Sequence, residues 1–272
     1  MTKTLQITLL QTRIEWLDSD MNIASASRLM ASSAGSDLYV LPEMWSTGFI
    51  VDEMSVSKHC SGNSSRTSLA WMRKMSISSG AAICGSLPVM VHGELFNRLY
   101  FVTPEGYEWY YDKHHLFTMG NENQQYTPGS ERVIVNYRGV RFLLAVCYDL
   151  RFPVWLRNQD DYDVLLVVAN WPQSRQHVWD VLLRARAIEN QCFAAACNRV
   201  GEDPVSTYAG GSLFVDARGN TLNKPVMGKE GAITATLDFE SLASFRKKFP
   251  VLSDRDVFQL NKGSQQATPL PT

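Results

Sequence analysis

The chain has 272 residues, and its 26 basic and 27 acidic side chains give a formal net charge of -1. Such a balance gives no electrostatic basis for binding nucleic acid or an anionic membrane surface. The apolar content of 45% allows a large buried core. No stretch approaches the roughly 18 apolar residues of a membrane span. We therefore expect neither a nucleic-acid partner nor a membrane segment.

The cysteines are odd in number and show no closely spaced pairing. They are Cys60, Cys84, Cys147, Cys192 and Cys197. This usage predicts free thiols in a reducing, cytoplasmic compartment. Near the N-terminus, Gln6, Gln11 and Arg13 interrupt the apolar run, which is too short for a secretion signal.

Apolar runs and alternation predict five strands in the first half of the chain. They cover residues 5–10, 37–42, 81–86, 95–103 and 108–112. Helical spacing predicts helices over 18–34 and 64–79, and Gly35 ends the first of them. Residues 117–129 are rich in Asn and Gln and are expected to form a loop.

The second half of the chain repeats the first. Residues 163–170 resemble 37–41, residues 192–197 resemble 81–84, and residues 211–219 resemble 97–106. Further strands are predicted over 133–135 and 141–146, and further helices after Arg151, over 178–190 and over 238–245. Such an internal duplication predicts two similar, β-rich halves packed together, with helices outside.

Two sheets that face each other under flanking helices make four layers in one α/β domain. We expect this domain to cover residues 1–260, because no linker separates the halves. The composition then changes, and the tail over residues 261–272 has little to bury. It is expected to be flexible or to dock against a partner.

Three predicted strands each deliver one reactive side chain at their end: Glu43, Lys113 and Cys147. Cys147 follows the apolar run 142–146, where open α/β sheets bind their ligands. A thiol is nucleophilic as the thiolate, which a nearby ammonium favours, and a carboxylate can accept its proton. Lys113 and the backbone N–H of Tyr148 could hold an oxyanion. Together these groups predict covalent acyl transfer.

Each of these residues also has a simpler interpretation. Cys147 alone could be an inert buried thiol, Glu43 a turn carboxylate and Lys113 a solvated charge. Their joint placement at strand ends favours catalysis. A Cys–His hydrolase using His114 or His115 is an alternative, although both follow Lys113 directly. No metal-ligand spacing and no phosphate-binding loop occur, so we expect hydrolysis without a cofactor.

Three segments resemble the signatures of the nitrilase, or carbon–nitrogen hydrolase, superfamily: LPEMWSTGF, YDKHHLF and AVCYDLRFP. The resemblance covers about Leu5 to Leu260. It implies a four-layer αββα sandwich with internal pseudo-two-fold symmetry, in agreement with the duplication. It also implies a catalytic triad of Glu43, Lys113 and Cys147. A second family glutamate falls on Glu122, which would orient Lys113; otherwise Glu122 is a solvated loop carboxylate.

Among the branches of this superfamily, the chain resembles the ω-amidases. The implied substrates are small α-keto acids with a side-chain amide, 2-oxoglutaramate and 2-oxosuccinamate, which would yield the dicarboxylic keto acid and ammonia. Their carboxylate needs a cation or N–H donors. Arg175 is our candidate, unless it is a solvated residue at a helix start. The predicted pocket walls are Tyr148, Phe117 and Trp171.

The resemblance also implies a homodimer that pairs through helices near the nucleophile turn. Arg151 and Glu189 are expected to form an ion pair that braces this turn, with Arg184 and Arg186 in similar roles. Three alternatives remain at this point. They are hydrolysis of another substrate (a nitrile, a carbamoyl amine or a monocarboxylic amide), a non-catalytic binding protein of the same fold, and a redox-sensing thiol protein.

Overall fold

Two β-sheets carry the core of this computed structural model, which describes residues 3–60 and 62–260. The strands in chain order are β1 (Thr4–Gln11), β2 (Leu38–Val40), β3 (Ala82–Val91), β4 (Glu94–Val102), β5 (Glu108–Asp112), β6 (Ile134–Tyr137), β7 (Val140–Val146), β8 (Val164–Ala169), β9 (Phe193–Asn198), β10 (Val200–Glu202), β11 (Thr207–Ala209), β12 (Leu213–Val215) and β13 (Gly231–Asp238). Within the described residues the first sheet has the order β13-β1-β2-β3-β4-β5 and the second β12-β9-β8-β7-β6, while β10 and β11 pair separately.

The described residues also form six α-helices. They are α1 (Ser19–Ser32), α2 (Glu53–Cys60), α3 (Ser64–Ser79), α4 (Glu122–Gln125), α5 (Gln176–Glu189) and α6 (Phe239–Lys248). Short 3₁₀ turns cover Thr118–Gly120, Cys147–Arg151, Gln173–Arg175 and Val251–Asp254. None of the helices in the described ranges is long and apolar enough to cross a membrane.

The two sheets repeat one hydrogen-bonding pattern. The Asp37 side chain accepts the Gln6 N–H at 2.8 Å, and the Asp163 side chain accepts the Arg141 N–H at 3.2 Å. The carbonyl groups of the same two aspartates each accept an N–H of the next strand at 3.0 Å. The strands β1-β2-β3-β4 thus correspond to β7-β8-β9-β12, with the same parallel and antiparallel senses. The predicted duplication is confirmed, and β5 is an additional strand of the first sheet.

Alternation of side chains builds the layers. Leu38 and Val40 of β2 join the core between the sheets, whereas Tyr39 packs into the outer layer with α1 and α3. Across the inner layer, the rings of Phe101 and Phe142 lie 5.7 Å apart. Helix α5 packs against β9 and β12 of the second sheet. The arrangement is the four-layer αββα sandwich that the sequence predicted.

Three local predictions differ from the structure. The segment after Arg151 forms turns rather than a helix, because the Asn158 side chain accepts the Asp161 N–H at 3.0 Å and interrupts helical bonding. The predicted loop 117–129 contains a 3₁₀ turn and α4, and α2 was not predicted. The predicted tail, residues 261–272, lies outside the described residues.

Candidate active site

Cys147 sits where β7 ends in a sharp turn. Its backbone has a φ of 45°, a strained conformation for a residue other than glycine, and the 3₁₀ turn Cys147–Arg151 begins there. The Asp149 side chain accepts the Val146 N–H at 2.9 Å and so closes the turn. The residue as a whole keeps some solvent exposure, although its sulfur is surrounded by protein. This geometry presents the sulfur at the end of a buried strand, as the sequence predicted.

Asp149 also ties this turn to the strand that delivers Lys113. It is fully buried and accepts hydrogen bonds from the Tyr111 hydroxyl at 2.8 Å and from the His115 N–H at 3.0 Å. His115 Nδ1 lies 2.8 Å from the same carboxylate. These bonds join the ends of β5 and β7 and so fix the position of Lys113 relative to Cys147.

Lys113 lies between two carboxylates at the end of β5. Its Nζ donates to Glu43 Oε1 at 2.9 Å and to Glu122 Oε2 at 2.8 Å, and all three side chains are fully buried. A buried charge is stable only when it is paired and hydrogen-bonded. Glu122 was predicted to lie in a loop. In the structure it is instead the buried first residue of the short helix α4.

Asn97 and two backbone N–H groups complete this cluster. Asn97 Nδ2 donates to Glu43 at 2.8 Å and to Glu122 at 3.0 Å, and so bridges the two carboxylates. The Phe117 N–H donates to Glu122 at 2.7 Å, and the Asn170 N–H donates to Glu43 at 2.8 Å. These N–H groups, together with Lys113, donate to the carboxylates of Glu43 and Glu122 and so fix the orientation of both side chains.

The sequence analysis did not identify three of these residues: Asn97, Asp149 and Asn170. Asn97 carried a usable signal, since it alternates with Leu95 and Leu99 on one face of its strand, and a polar residue on a buried face must find a partner. Asp149 closes its own turn locally, but its bonds to Tyr111 and His115 and the bond of Asn170 to Glu43 join distant segments, for which the local pattern holds no signal.

Electrostatics favour a protonated thiol beside a charged lysine. Burial raises the pKa of Cys147, Glu43 raises it further, and Lys113 opposes both. Burial lowers the pKa of Lys113, but Glu122 and Glu43 outweigh it and leave the pKa above its usual value. Burial also raises the pKa of Glu122. The thiol therefore has to lose its proton during attack, and the neighbouring Glu43 carboxylate can accept it.

A cavity of about 500 Å³ opens above this cluster. Glu43, Lys113 and Cys147 line it, together with the four residues predicted for the pocket: Tyr148, Phe117, Trp171 and Arg175. The Phe117 and Tyr148 rings pack edge to face, with centroids 5.1 Å apart. The fold thus brings seven of the eight predicted site residues to one cavity, and the eighth, Glu122, supports Lys113 from behind.

The predicted ion pair between Arg151 and Glu189 is wrong. Glu189 pairs instead with Arg186 at 3.0 Å, because both lie on α5 one turn apart. Arg186 Nε also donates to the Leu150 carbonyl at 3.1 Å and so braces the nucleophile turn. Arg151 points to the cavity, where its guanidinium carbon lies 5.2 Å from the centre of the Trp171 ring.

Two alternative chemistries find no support in this geometry. His115 is bound to Asp149, and His114 Nδ1 lies 2.5 Å from the Gly129 carbonyl, so neither ring is placed as a base for Cys147. A redox-sensing thiol needs a resolving cysteine, and in the described part of the chain the cavity lining contains Cys147 alone. Residues 3–60 and 62–260 contain no group of three or more His, Cys, Asp or Glu side chains that could hold a metal ion.

Comparison with known proteins gives consistent matches. The family model for carbon–nitrogen hydrolase matches residues 6–247. The chain is 42% identical to "Omega-amidase YafV" of Yersinia enterocolitica, over 94% of this chain and 99% of that protein. It is 34% identical to "2-oxoglutaramate amidase" of Bacillus subtilis, over 91% of this chain and 96% of that protein.

A solved structure matches equally well. The crystal structure of XC1258 from Xanthomonas campestris, described as a CN-hydrolase superfamily protein with an arsenic adduct in its active site, superposes with a TM-score of 0.89. It is 41% identical, and the match covers 96% of this chain and 100% of that one.

Proposed function

The chain belongs to the carbon–nitrogen hydrolase family, and on this premise we propose that it is an ω-amidase. Its substrates are 2-oxoglutaramate and 2-oxosuccinamate, which it hydrolyses to the dicarboxylic keto acid and ammonia. The observation that carries the proposal is the position of Cys147 beside a buried Glu43–Lys113–Glu122 cluster, in a cavity that also holds two arginines without an ion-pair partner among the described residues. Relatives named as ω-amidase and 2-oxoglutaramate amidase support the substrate class.

In the first step Cys147 attacks the amide carbonyl. Its proton passes to Glu43, the S–C bond forms, and the carbonyl electron pair moves to oxygen. Lys113 Nζ and the backbone N–H of Tyr148 stabilise this oxyanion. Glu122 keeps Lys113 in place, since it accepts Nζ at 3.1 and 2.8 Å through its two oxygens.

In the second step the C–N bond breaks. Glu43 returns its proton to the leaving nitrogen, and ammonia departs from a thioester on Cys147. A water molecule then loses a proton to Glu43 and attacks the thioester carbonyl. The C–S bond breaks, the thiolate recovers the proton from Glu43, and the dicarboxylic keto acid leaves.

Arg175 binds the carboxylate at the far end of the substrate. It is half-buried on the cavity wall, and its guanidinium carbon lies 5.2 Å from the centre of the Phe117 ring. Stacking on a ring fixes the plane of the guanidinium, which can then bind a carboxylate through two parallel hydrogen bonds. Phe117, Tyr148 and Trp171 surround the apolar part of the substrate.

A steady-state comparison of ammonia release tests the function. The substrates are 2-oxoglutaramate and 2-oxosuccinamate, with glutamine, asparagine, butanamide and a nitrile as comparisons, and Cys147→Ala as the blank. We expect the two keto-acid amides to give the highest kcat/KM. Faster turnover of the nitrile or of the neutral amide would overturn the substrate class but retain the hydrolase.

Assembly and location extend this proposal. We infer that residues 1–260 form one domain, since both sheets share one core, and that the protein is a cytoplasmic homodimer. The free cysteines of the described residues support a reducing compartment. Light scattering coupled to size exclusion measures the assembly, and a monomeric mass would overturn the dimer.

A further inference from the structure

Two arginines of the cavity differ in their distance along the chain from the nucleophile. Arg151 closes the turn that Cys147 opens, whereas Arg175 ends the separate turn Gln173–Arg175 after β8. Both side chains line the cavity and both are half-buried. Both also lie against an aromatic ring of the wall, Arg151 against Trp171 and Arg175 against Phe117, each at 5.2 Å.

Neither guanidinium has an ion-pair partner within residues 3–60 and 62–260. Other arginines around the second sheet do have one, since Arg141 and Arg246 both pair with Asp163 at 2.8 Å. A half-buried guanidinium that faces only an aromatic ring gives up hydration, and its N–H groups have no hydrogen-bond acceptor among the described residues. Two such cations on the wall of one cavity indicate a ligand with several acceptor oxygens close together.

We propose that Arg151 is a specificity-determining residue that binds the 2-oxo oxygen of the substrate while Arg175 binds the adjacent carboxylate. This inference rests on the function proposed above. In an ω-amide of a 2-oxo acid, the oxo carbon lies between the attacked amide carbon and the carboxylate. Because Arg151 belongs to the same five-residue turn as Cys147, we assign it to the oxo group, and we assign Arg175, on the separate turn after β8, to the carboxylate.

This arrangement also rejects the parent amino acids. In glutamine an ammonium group replaces the oxo oxygen, and an ammonium offers only donors and carries a positive charge. Beside Arg151 it would bring two cations together in a partly desolvated cavity, which is unfavourable. A site built around a particular substrate oxygen discriminates strongly against an analogue that lacks it.

The test crosses two arginine variants with a substrate that lacks the oxo group. The substrates are 2-oxoglutaramate and glutaramate, the monoamide of pentanedioic acid, with butanamide as a neutral amide. The variants are Arg151→Met and Arg175→Met, which keep the length of the side chain but remove its charge. Arg73→Met is the matched control, because Arg73 lies on α3 and is half-exposed in a pair with Glu108. The readout is kcat/KM for ammonia release.

We expect wild type to prefer 2-oxoglutaramate to glutaramate, and Arg151→Met to lower this preference at least about tenfold. The same variant leaves glutaramate turnover within about threefold of wild type. Arg175→Met weakens both carboxylated amides together relative to butanamide, and Arg73→Met changes neither ratio. An unchanged oxo preference in Arg151→Met, or an equal loss on all three substrates, overturns the inference while the amidase function stands.

Two further measurements cover misfolding and failure of the premise. Binding of 2-oxoglutarate and glutarate to Cys147→Ala, with and without Arg151→Lys, is measured by calorimetry. The lysine keeps the positive charge but lacks the planar guanidinium. We expect it to weaken the binding of 2-oxoglutarate more than the binding of glutarate, and an equal loss of affinity for the two ligands contradicts the assignment. If wild type releases no ammonia from 2-oxoglutaramate, the proposed function and this inference both fail.

Discussion

The two halves of the molecule share one backbone frame but contribute different chemistry. Asp37 and Asp163 occupy the same position in their halves and make the same bonds. Counting from these positions along the paired strands, the place of Cys147 in the second half is held by Thr12 in the first. The place of Glu43 in the first half is held by Ala169 in the second. At these two pairs of positions, therefore, only Glu43 in the first half and Cys147 in the second half carry a thiol or a carboxylate.

This comparison separates what duplication provides from what single residues provide. Duplication brings strand ends of two sheets together at one edge of the sandwich. The first half supplies Glu43 and, through the additional strand β5, Lys113, while the second half supplies Cys147. Asn170, which follows β8, donates its N–H to Glu43 and links the halves directly. The candidate site therefore exists only where both halves meet.

Replacing Cys147 by Ala gives the largest expected effect, and Thr12→Ala is its matched control in the other half. Without a sulfur no thioester forms, so ammonia release falls at least about 10⁴-fold. Thr12→Ala keeps activity within about threefold, because the Thr12 hydroxyl has no hydrogen-bond partner among the described residues. Both variants should unfold near the wild-type temperature. Substantial turnover by folded Cys147→Ala contradicts covalent catalysis.

Glu43→Gln tests whether the first half supplies the general base. The amide keeps the shape of the side chain but cannot accept the thiol proton, so kcat falls about 10²–10⁴-fold. Glu105→Gln, in the exposed turn between β4 and β5, serves as the control and retains activity. A Glu43→Gln enzyme with a normal kcat would assign the base to another residue.

The pH dependence of alkylation tests the influence of one half on the other. Burial and the Glu43 charge raise the pKa of Cys147, so iodoacetamide should label wild type with a midpoint above the ordinary cysteine value of about 8.5. In Glu43→Gln the negative charge is removed while Lys113 remains, and the midpoint moves to lower pH. Labelling at Cys147 is followed by mass spectrometry. An unchanged midpoint means that the two groups do not interact.

Replacement of Asp163 and of its counterpart Asp37 gives the smallest expected effect. It compares how much the two equivalent positions contribute to the free energy of unfolding. Burial tends to raise the pKa of Asp163, but Arg141 and Arg246 outweigh it and lower the pKa. Its stabilising contribution is then present above the unfolded value of about 3.9 and is lost as pH falls through the folded pKa. Asp163→Asn should lower the free energy of unfolding by about 2 kcal/mol at pH 7, and this loss disappears in acid.

Asp37→Asn is the control in the other half. Asp37 pairs with Arg138, which is 39% exposed, so we expect a loss of about 1 kcal/mol or less. Both values come from urea unfolding followed by circular dichroism. Equal losses at the two positions would show that exposure does not distinguish the two frames.

Local sequence predicted the strands, most helices and the reactive strand ends because these follow from periodicity and from single residues. The short apolar run after Asp37 predicts a strand, and the repeat of 37–41 in 163–170 predicts a second sheet like the first. The helix expected after Arg151 was wrong because side-chain bonds of Asn158 compete with helical bonding. Local composition does not report such competition.

The sequence by itself placed Glu43, Lys113 and Cys147 after predicted strands, and its internal repeat predicted two facing sheets. The tertiary structure alone decided their protonation and their supports. Burial keeps the thiol protonated, Glu122 and Asn97 hold Lys113 and Glu43 by hydrogen bonds, and Asp149 ties the nucleophile turn to β5. These properties arise from contacts between segments far apart in the chain, and from the exclusion of water at the place where they meet.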